Sequence, residues 1–174
     1  MDTIRSNSVW IAIVATGAGA AALAGAPAEL ARPADLDRWI TLGSTVRTSK
    51  EDPATASQLR HVRMEPKALD VLLTTGSYPD GARLAASFHP LSLDKSHDPP
   101  LWASQPESVL AVEIIDRGVA DGRVFYLFTR GATTARAMPQ GNDCAACHNE
   151  RGTLDGTFAD LYPLVAKLAK PATP

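Results

Sequence analysis

The pentapeptide Cys-Ala-Ala-Cys-His at 144–148 contains both cysteines of the 174-residue chain, and it limits the possible folds more than any other feature. Two thiols three residues apart can each bond to one of the two vinyl groups on a porphyrin edge. A histidine directly after them can bind the iron as its proximal ligand. The pattern therefore predicts one covalent haem c, held by Cys144 and Cys147, with His148 on the iron.

A C-x-x-C pair also occurs as a redox dithiol or as half of a zinc site. A zinc site needs two further ligands at compatible spacing, and the other histidines, His61, His89 and His97, form no H-x₃₋₅-H pair. A dithiol and a chance match remain open from the motif alone. An exported chain favours haem, because bacterial c-type haem is attached outside the cytoplasm.

The N-terminus has the pattern of a secretory signal peptide. Residues 1–8 are polar with Arg5 as their one cation, residues 9–26 carry no charge, and Ala22-Leu23-Ala24 fits an A-x-A cleavage site. We expect a signal peptide over 1–24 and a periplasmic mature protein. The alternative is an uncleaved anchor, but an Ala/Gly-rich run of about 18 residues is near the lower limit for spanning a bilayer. We therefore expect no stable membrane insertion after cleavage.

Removing 1–24 from 174 residues leaves 150, which is the size of one domain. Residues 25–34 are rich in Ala and Pro and predict a flexible leader, followed by a haem domain over 35–170. The formal net charge of −2 gives no electrostatic reason to expect nucleic acid as a partner.

Hydrophobic periodicity predicts an α+β fold, with a predominantly antiparallel sheet and flanking helices. Strands are predicted over 58–64, 82–88, 108–115 and 123–130. Helices are predicted over 35–42, 67–73 and 157–170. Polar or proline-rich loops are predicted over 44–58 and 89–107. The C-x-x-C-H motif follows the last strong strand, near the C-terminus.

Several stretches together resemble the cytochrome P460 family, which includes the cytochrome c′-β proteins. Besides the C-x-x-C-H motif, they are LDRW at 36–39, VRMEPKAL at 62–69, TGSYPDG at 75–81, DGTF at 155–158 and LYP at 161–163. The resemblance implies a sheet that forms one wall of the haem pocket, a five-coordinate iron and a homodimer. One branch of the family bonds a lysine to the porphyrin and oxidises hydroxylamine. The other has an apolar distal pocket and binds nitric oxide.

The cross-linking lysine of that family follows the P-D-G turn in a pattern like P-D-G-x-x-x-x-K. The matching position here is Ala86, and no lysine lies between Lys67 and Lys95. We therefore expect no cross-link, which disfavours a hydroxylamine-oxidising enzyme. The leading hypothesis is a haem protein that binds small gases such as NO or CO. The alternative is an electron-transfer cytochrome with redox partner proteins and Met64 as a sixth iron ligand.

The remaining site candidates come from the strands and the loop after them. An apolar distal pocket is expected from Leu84, Phe88, Phe125, Tyr126 and Phe128, although each also suits ordinary core packing. Arg130 and Arg136 are expected to pair with the haem propionates, a role that suits arginine. Glu113 is the one acidic residue within a predicted strand and is a weaker candidate for facing the iron.

Overall fold

The computed structural model describes residues 25–168, so the predicted signal peptide and residues 169–170 of the predicted domain lie outside the described part. The strands are β1 Glu29–Ala31, β2 Ile40–Thr48, β3 Ala56–Met64, β4 Arg83–Asp94, β5 Leu101–Ser104, β6 Val109–Ile115, β7 Arg123–Thr129 and β8 Thr134–Arg136. The helices are α1 Pro66–Thr75 and α2 Asp143–Arg151, with 3₁₀ turns at Leu36–Arg38, Ala159–Leu161 and Ala166–Leu168. No helix within residues 25–168 is both long and apolar enough to cross a membrane.

An antiparallel sheet with strand order β2-β3-β4-β6-β7 dominates the fold, and β5 pairs with the far end of β4. The two helices flank this sheet, which confirms the predicted α+β class. Strands β3, β6 and β7 lie close to their predicted positions. Polar and apolar residues alternate in β3, whereas β6 and β7 are nearly continuous apolar runs, the pattern of largely buried strands.

The segment predicted as a flexible leader is ordered, which corrects that prediction. Strand β1 pairs with β8, and Leu30 is buried where Leu30 and Ala135 lie opposite each other. Arg32 also forms an ion pair with Glu107 at 2.6 Å. Strand pairing, the burial of Leu30 and the ion pair of Arg32 together hold a segment whose composition resembles a loose linker.

Helix α1 covers one end of the sheet. Pro66 starts it in the first turn, where a missing N–H costs nothing, and Gly76 ends it with φ +74°. Its inner face carries Ala68, Leu69 and Leu72, which pack in the same core cluster as Met64 and Tyr162.

The two faces of the sheet bury different sets of side chains. One face packs against α1 and the C-terminal segment and forms the core cluster that contains Met64 and Tyr162. The other face packs Leu110, Val112, Tyr126 and Phe128 with Trp39 from the N-terminal part. The cavity described below opens on the first face.

Four expectations about local structure were wrong. Residues 40–48 form strand β2 instead of helix and loop, β4 extends to Asp94, and residues 101–104 add β5 where a loop was expected. In the segment predicted as a helix over 157–170, the described residues up to 168 form two 3₁₀ turns instead.

Candidate functional site

Helix α2 presents the C-x-x-C-H motif as one stripe. Residues i, i+3 and i+4 of a helix share a face, so Cys144, Cys147 and His148 point the same way. The side chain of Asn142 caps the helix by accepting hydrogen bonds from the backbone N–H groups of Cys144 at 3.0 Å and Ala145 at 3.2 Å. This cap fixes where the helix starts and therefore the direction of the stripe.

The stripe faces a cavity of about 510 Å³ between α2, the C-terminal loop and the inner face of the sheet. Ligand pockets in proteins span roughly 300–1,000 Å³. Both thiols and the imidazole line this cavity. A group bonded to all three residues would therefore lie against the sheet.

The centre of the sheet wall is apolar and made of short side chains. Val62 lies opposite Ala86, Ala86 opposite Ala111, and Ala111 opposite Leu127, so these four residues form one row across β3, β4, β6 and β7. All four line the cavity. The two alanines in the middle leave open the space that larger side chains would fill.

Two aromatic rings hold the imidazole of His148. Its ring centroid is 5.0 Å from that of Phe125 on β7 and 4.9 Å from that of Phe158, both edge to face. Such aromatic pairs favour a defined ring orientation.

A buried ion pair lies beside the same imidazole. Nη1 of Arg123 donates to Oε1 of Glu113 at 2.6 Å, and both side chains are less than 10% exposed. Oε2 of Glu113 is 3.6 Å from Nδ1 of His148. That nitrogen is buried and has no hydrogen-bond partner among residues 25–168.

The loop after α2 holds the arginine of this pair. Nη2 of Arg123 donates to the backbone carbonyl of Asp155 at 2.5 Å. Gly156 has φ +70°, and a Cβ there would overlap the guanidinium. The Asp-Gly pair after the motif thus lets the backbone approach Arg123 closely.

Two arginines lie at another part of the cavity lining. Arg47 and Arg60 both line it, and the guanidinium carbon of Arg60 is 5.0 Å from the centroid of the Phe88 ring. Nε of Arg60 is buried without a hydrogen-bond partner in the described residues. A buried, unpaired guanidinium N–H is costly and therefore suits an anionic ligand group.

Three of the five expected distal residues line the cavity, namely Leu84, Phe88 and Phe125, although Phe125 contacts the imidazole. The placement of Tyr126 and Phe128 there was wrong. Successive strand residues point to opposite faces, so these two point away from Phe125 and Leu127 and pack in the core on the other face.

The expected propionate arginines also lie elsewhere. Arg130 donates to the backbone carbonyls of Glu107 at 3.2 Å and Pro106 at 3.3 Å, and Arg136 is exposed on the short strand β8. Neither lines the cavity, so this assignment was wrong; the arginines that do line it are Arg47 and Arg60. The sequence could have placed Arg60 at the cavity, because the alternation of β3 puts it on the same face as Val62.

Met64 does not reach the cavity. It is 0% exposed and packs against the inner face of α1. The thioether is therefore enclosed by apolar side chains, and its assignment as a sixth ligand is contradicted by this position.

The environment of Cys144 disfavours a redox dithiol. Burial raises the pKa of its thiol, and the carboxylate of Asp143 adds to the rise. A reactive redox cysteine needs a lowered pKa. The thiol of Cys144 is therefore poorly suited to disulfide exchange.

The donor set fits haem. Two thiols and an imidazole line one wall, and the centre of the facing sheet wall is apolar. A buried N–H of Arg60 has no acceptor among residues 25–168. The fold and the site together define a haem-binding protein built on an antiparallel sheet. Residues 33–159, well over half of the chain, match the family model Cytochrome P460, so the chain belongs to the cytochrome P460 family. This membership implies a haem cofactor. A search of curated proteins gives no match to the chain.

Proposed function

We propose that the mature chain is a periplasmic mono-haem c-type cytochrome of the c′-β kind, which takes up neutral diatomic gases such as NO or CO. The observation that carries the proposal is the row Val62, Ala86, Ala111 and Leu127, which faces the Cys144, Cys147 and His148 stripe across the cavity.

Each part of the site has a separate task in this proposal. Cys144 and Cys147 hold the porphyrin edge by thioether bonds, and His148 is the axial ligand. When bound, the haem supplies an iron with one open coordination position. The guanidinium groups of Arg47 and Arg60 bind its carboxylates by charge-assisted hydrogen bonds.

The apolar row selects among ligands by desolvation. Water and anions lose hydrogen bonds on entering such a space, because burying a polar group without a partner is costly. A neutral diatomic molecule has little hydration to lose. The row therefore favours NO and CO over water, hydroxide and other anions.

The two rival functions have less support from the residues. The position expected for a porphyrin-linked lysine is Ala86, which lines the cavity, while Lys67 and Lys95 are exposed. This argues against hydroxylamine oxidation by a cross-linked haem. An electron carrier with Met64 on the iron would require removing that side chain from the core under α1.

The signal sequence predicted over 1–24 supports the periplasmic location, and the resemblance to c′-β proteins supports a homodimer. These parts of the proposal depend on sequence alone.

The optical spectrum of the reduced protein tests the proposal. We expect the broad visible band of a five-coordinate high-spin haem, and a change of this spectrum on adding CO or NO. In Ala86→Phe a bulky ring fills the centre of the row, so CO should associate more slowly, while Ala54→Phe on an exposed loop should leave the rate unchanged. Sharp split α and β bands that do not respond to either gas would overturn the proposal.

A further inference from the structure

Glu113 and Arg123 are an ion pair at the edge of the cavity that the proposed gas chemistry does not use. Glu113 is 7% exposed and Arg123 is 6% exposed, so both charges have left water almost completely. Ionised groups at such depth need partners for their remaining hydrogen-bonding atoms. The hydrogen-bond partners of these two side chains therefore indicate the function of the ion pair.

Arg123 is held on every side. Its three guanidinium nitrogens donate to three different acceptors: Nη1 to Glu113, Nη2 to the carbonyl of Asp155 and Nε to the carbonyl of Asp121 at 3.3 Å. Its position is therefore set by the ends of two loops, and it fixes Oε1 of Glu113 in turn.

The second oxygen of the same carboxylate is left for the imidazole. Oε2 of Glu113 is 3.6 Å from Nδ1 of His148, about 0.7 Å beyond the upper end of a charge-assisted N–H···O⁻ bond. Nδ1 is buried and has no other hydrogen-bond partner within residues 25–168. Phe125 and Phe158 flank the ring, so the carboxylate is the polar group that this nitrogen meets.

We infer that Glu113, held by Arg123, is the positioning residue of the axial histidine, accepting a hydrogen bond from Nδ1–H of His148 and leaving Nε2 for the iron. The inference depends on the proposed haem site. A histidine that donates to a carboxylate is a stronger ligand than one that donates to water or a carbonyl. The pair Glu113–Arg123 therefore stabilises the ferric state relative to the ferrous state.

The test uses the haem-loaded protein, made in a host that attaches haem c, and compares Glu113→Gln with the wild type. The amide keeps the shape of the side chain and loses its charge. We expect the one-electron reduction potential to rise by about 59 mV or more. This rise corresponds to at least a tenfold change in the equilibrium between the ferric and ferrous states, in favour of the ferrous state. The iron–histidine stretching band of the ferrous protein should move to lower frequency, and Glu113→Asp should restore part of both changes.

Glu107→Gln is the matched control, because Glu107 also pairs with an arginine at 2.6 Å but does not line the cavity. It should leave the potential and the band unchanged.

A wild-type potential and stretching band in Glu113→Gln would overturn the inference and leave the proposed haem site standing. If that variant does not fold, the wild-type band decides: a frequency typical of carboxylate-bonded histidines supports the inference, and one typical of carbonyl-bonded histidines overturns it. A wild type without attached haem would refute the proposed function itself.

Discussion

The hydroxyl of Tyr78 lies 2.9 Å from the hydroxyl of Thr157, and this buried contact joins the turn after α1 to the loop after α2. Thr157 donates its own proton to the carbonyl of Leu154 at 2.9 Å, so Tyr78 is the donor of the pair. The two residues belong to the TGSYPDG and DGTF stretches, which are 79 positions apart in sequence. The contact therefore fixes the C-terminal loop, including Phe158, against the sheet.

Tyr78→Phe should destabilise the protein by about 1 kcal/mol, the usual net value of one hydrogen bond. Burial, with a smaller contribution from carboxylates such as Glu113 and against the opposing effect of the bond to Thr157, raises the pKa of Tyr78 to about 12. A pKa raised above its unfolded value of about 10 adds stability that is complete below pH 10 and is lost as pH rises through 12. Chemical unfolding at pH 8 to 12 should show this decline in the wild type and a weaker one in Tyr78→Phe. Equal declines in the two proteins would contradict it.

Gly156→Ala should be much more damaging than an alanine at another left-handed glycine. Gly156 has φ +70° and lies against the guanidinium of Arg123, whereas Gly131 has φ +79° and open space within 4 Å of where a Cβ would lie. The backbone strain alone is about 1–2 kcal/mol. Displacing Arg123 from Glu113 adds the cost of a broken buried ion pair, about 3–5 kcal/mol.

Urea unfolding of Gly156→Ala and Gly131→Ala measures the difference between these costs. Similar free energies of unfolding for the two variants would mean that Arg123 moves aside without loss, which contradicts the anchored position described above.

Arg60→Leu should weaken binding of free haem. The test uses a Cys144→Ala/Cys147→Ala background, in which haem binds without a covalent bond and its affinity can be titrated optically. A hydrogen bond to a charged group contributes about 1.5–3 kcal/mol, so the dissociation constant should rise by about tenfold or more.

Arg130→Leu in the same background is the control, because Arg130 bonds to the backbone carbonyls of Pro106 and Glu107 away from the cavity. If Arg130→Leu weakens haem binding and Arg60→Leu does not, the assignment of the propionate partners is wrong.

Met64→Ala should destabilise the fold without changing the optical spectrum of the haem. Met64 is 0% exposed in the core under α1, and truncating such a side chain costs about 2–5 kcal/mol. Met64→Leu keeps the volume and should cost less than about 1.5 kcal/mol. A shift from low-spin to high-spin bands in either variant would show that the methionine does bind iron.

The parts of the fold that could be predicted from sequence are those with a clean local pattern. Alternation indicated β3, apolar runs indicated β6 and β7, and Pro66 with Gly76 bounded α1. Residues 40–48 contain few apolar residues, and their strand is held by pairing with β3, which no local pattern reveals. The same holds for β5, whose pairing with β4 follows a proline-rich stretch.

The part of the site that lies on one local segment could be predicted from the sequence, and the contacts between different strands could not. The C-x-x-C-H stripe follows from helix geometry alone. Val124 to Phe128 are all apolar, so the sequence does not show which of Phe125 and Phe128 faces the cavity. The Glu113–Arg123 pair likewise depends on the register of β6 and β7, which only the folded structure supplies, whereas the face of Arg60 follows from the alternation of β3.

Whole-protein mass spectrometry under denaturing conditions tests the central claim most directly. Protein matured in a host that attaches haem c should show the mass of the polypeptide plus one haem, and the Cys144→Ala/Cys147→Ala variant should show the polypeptide alone. A wild-type mass equal to the bare polypeptide under the same conditions would contradict the account.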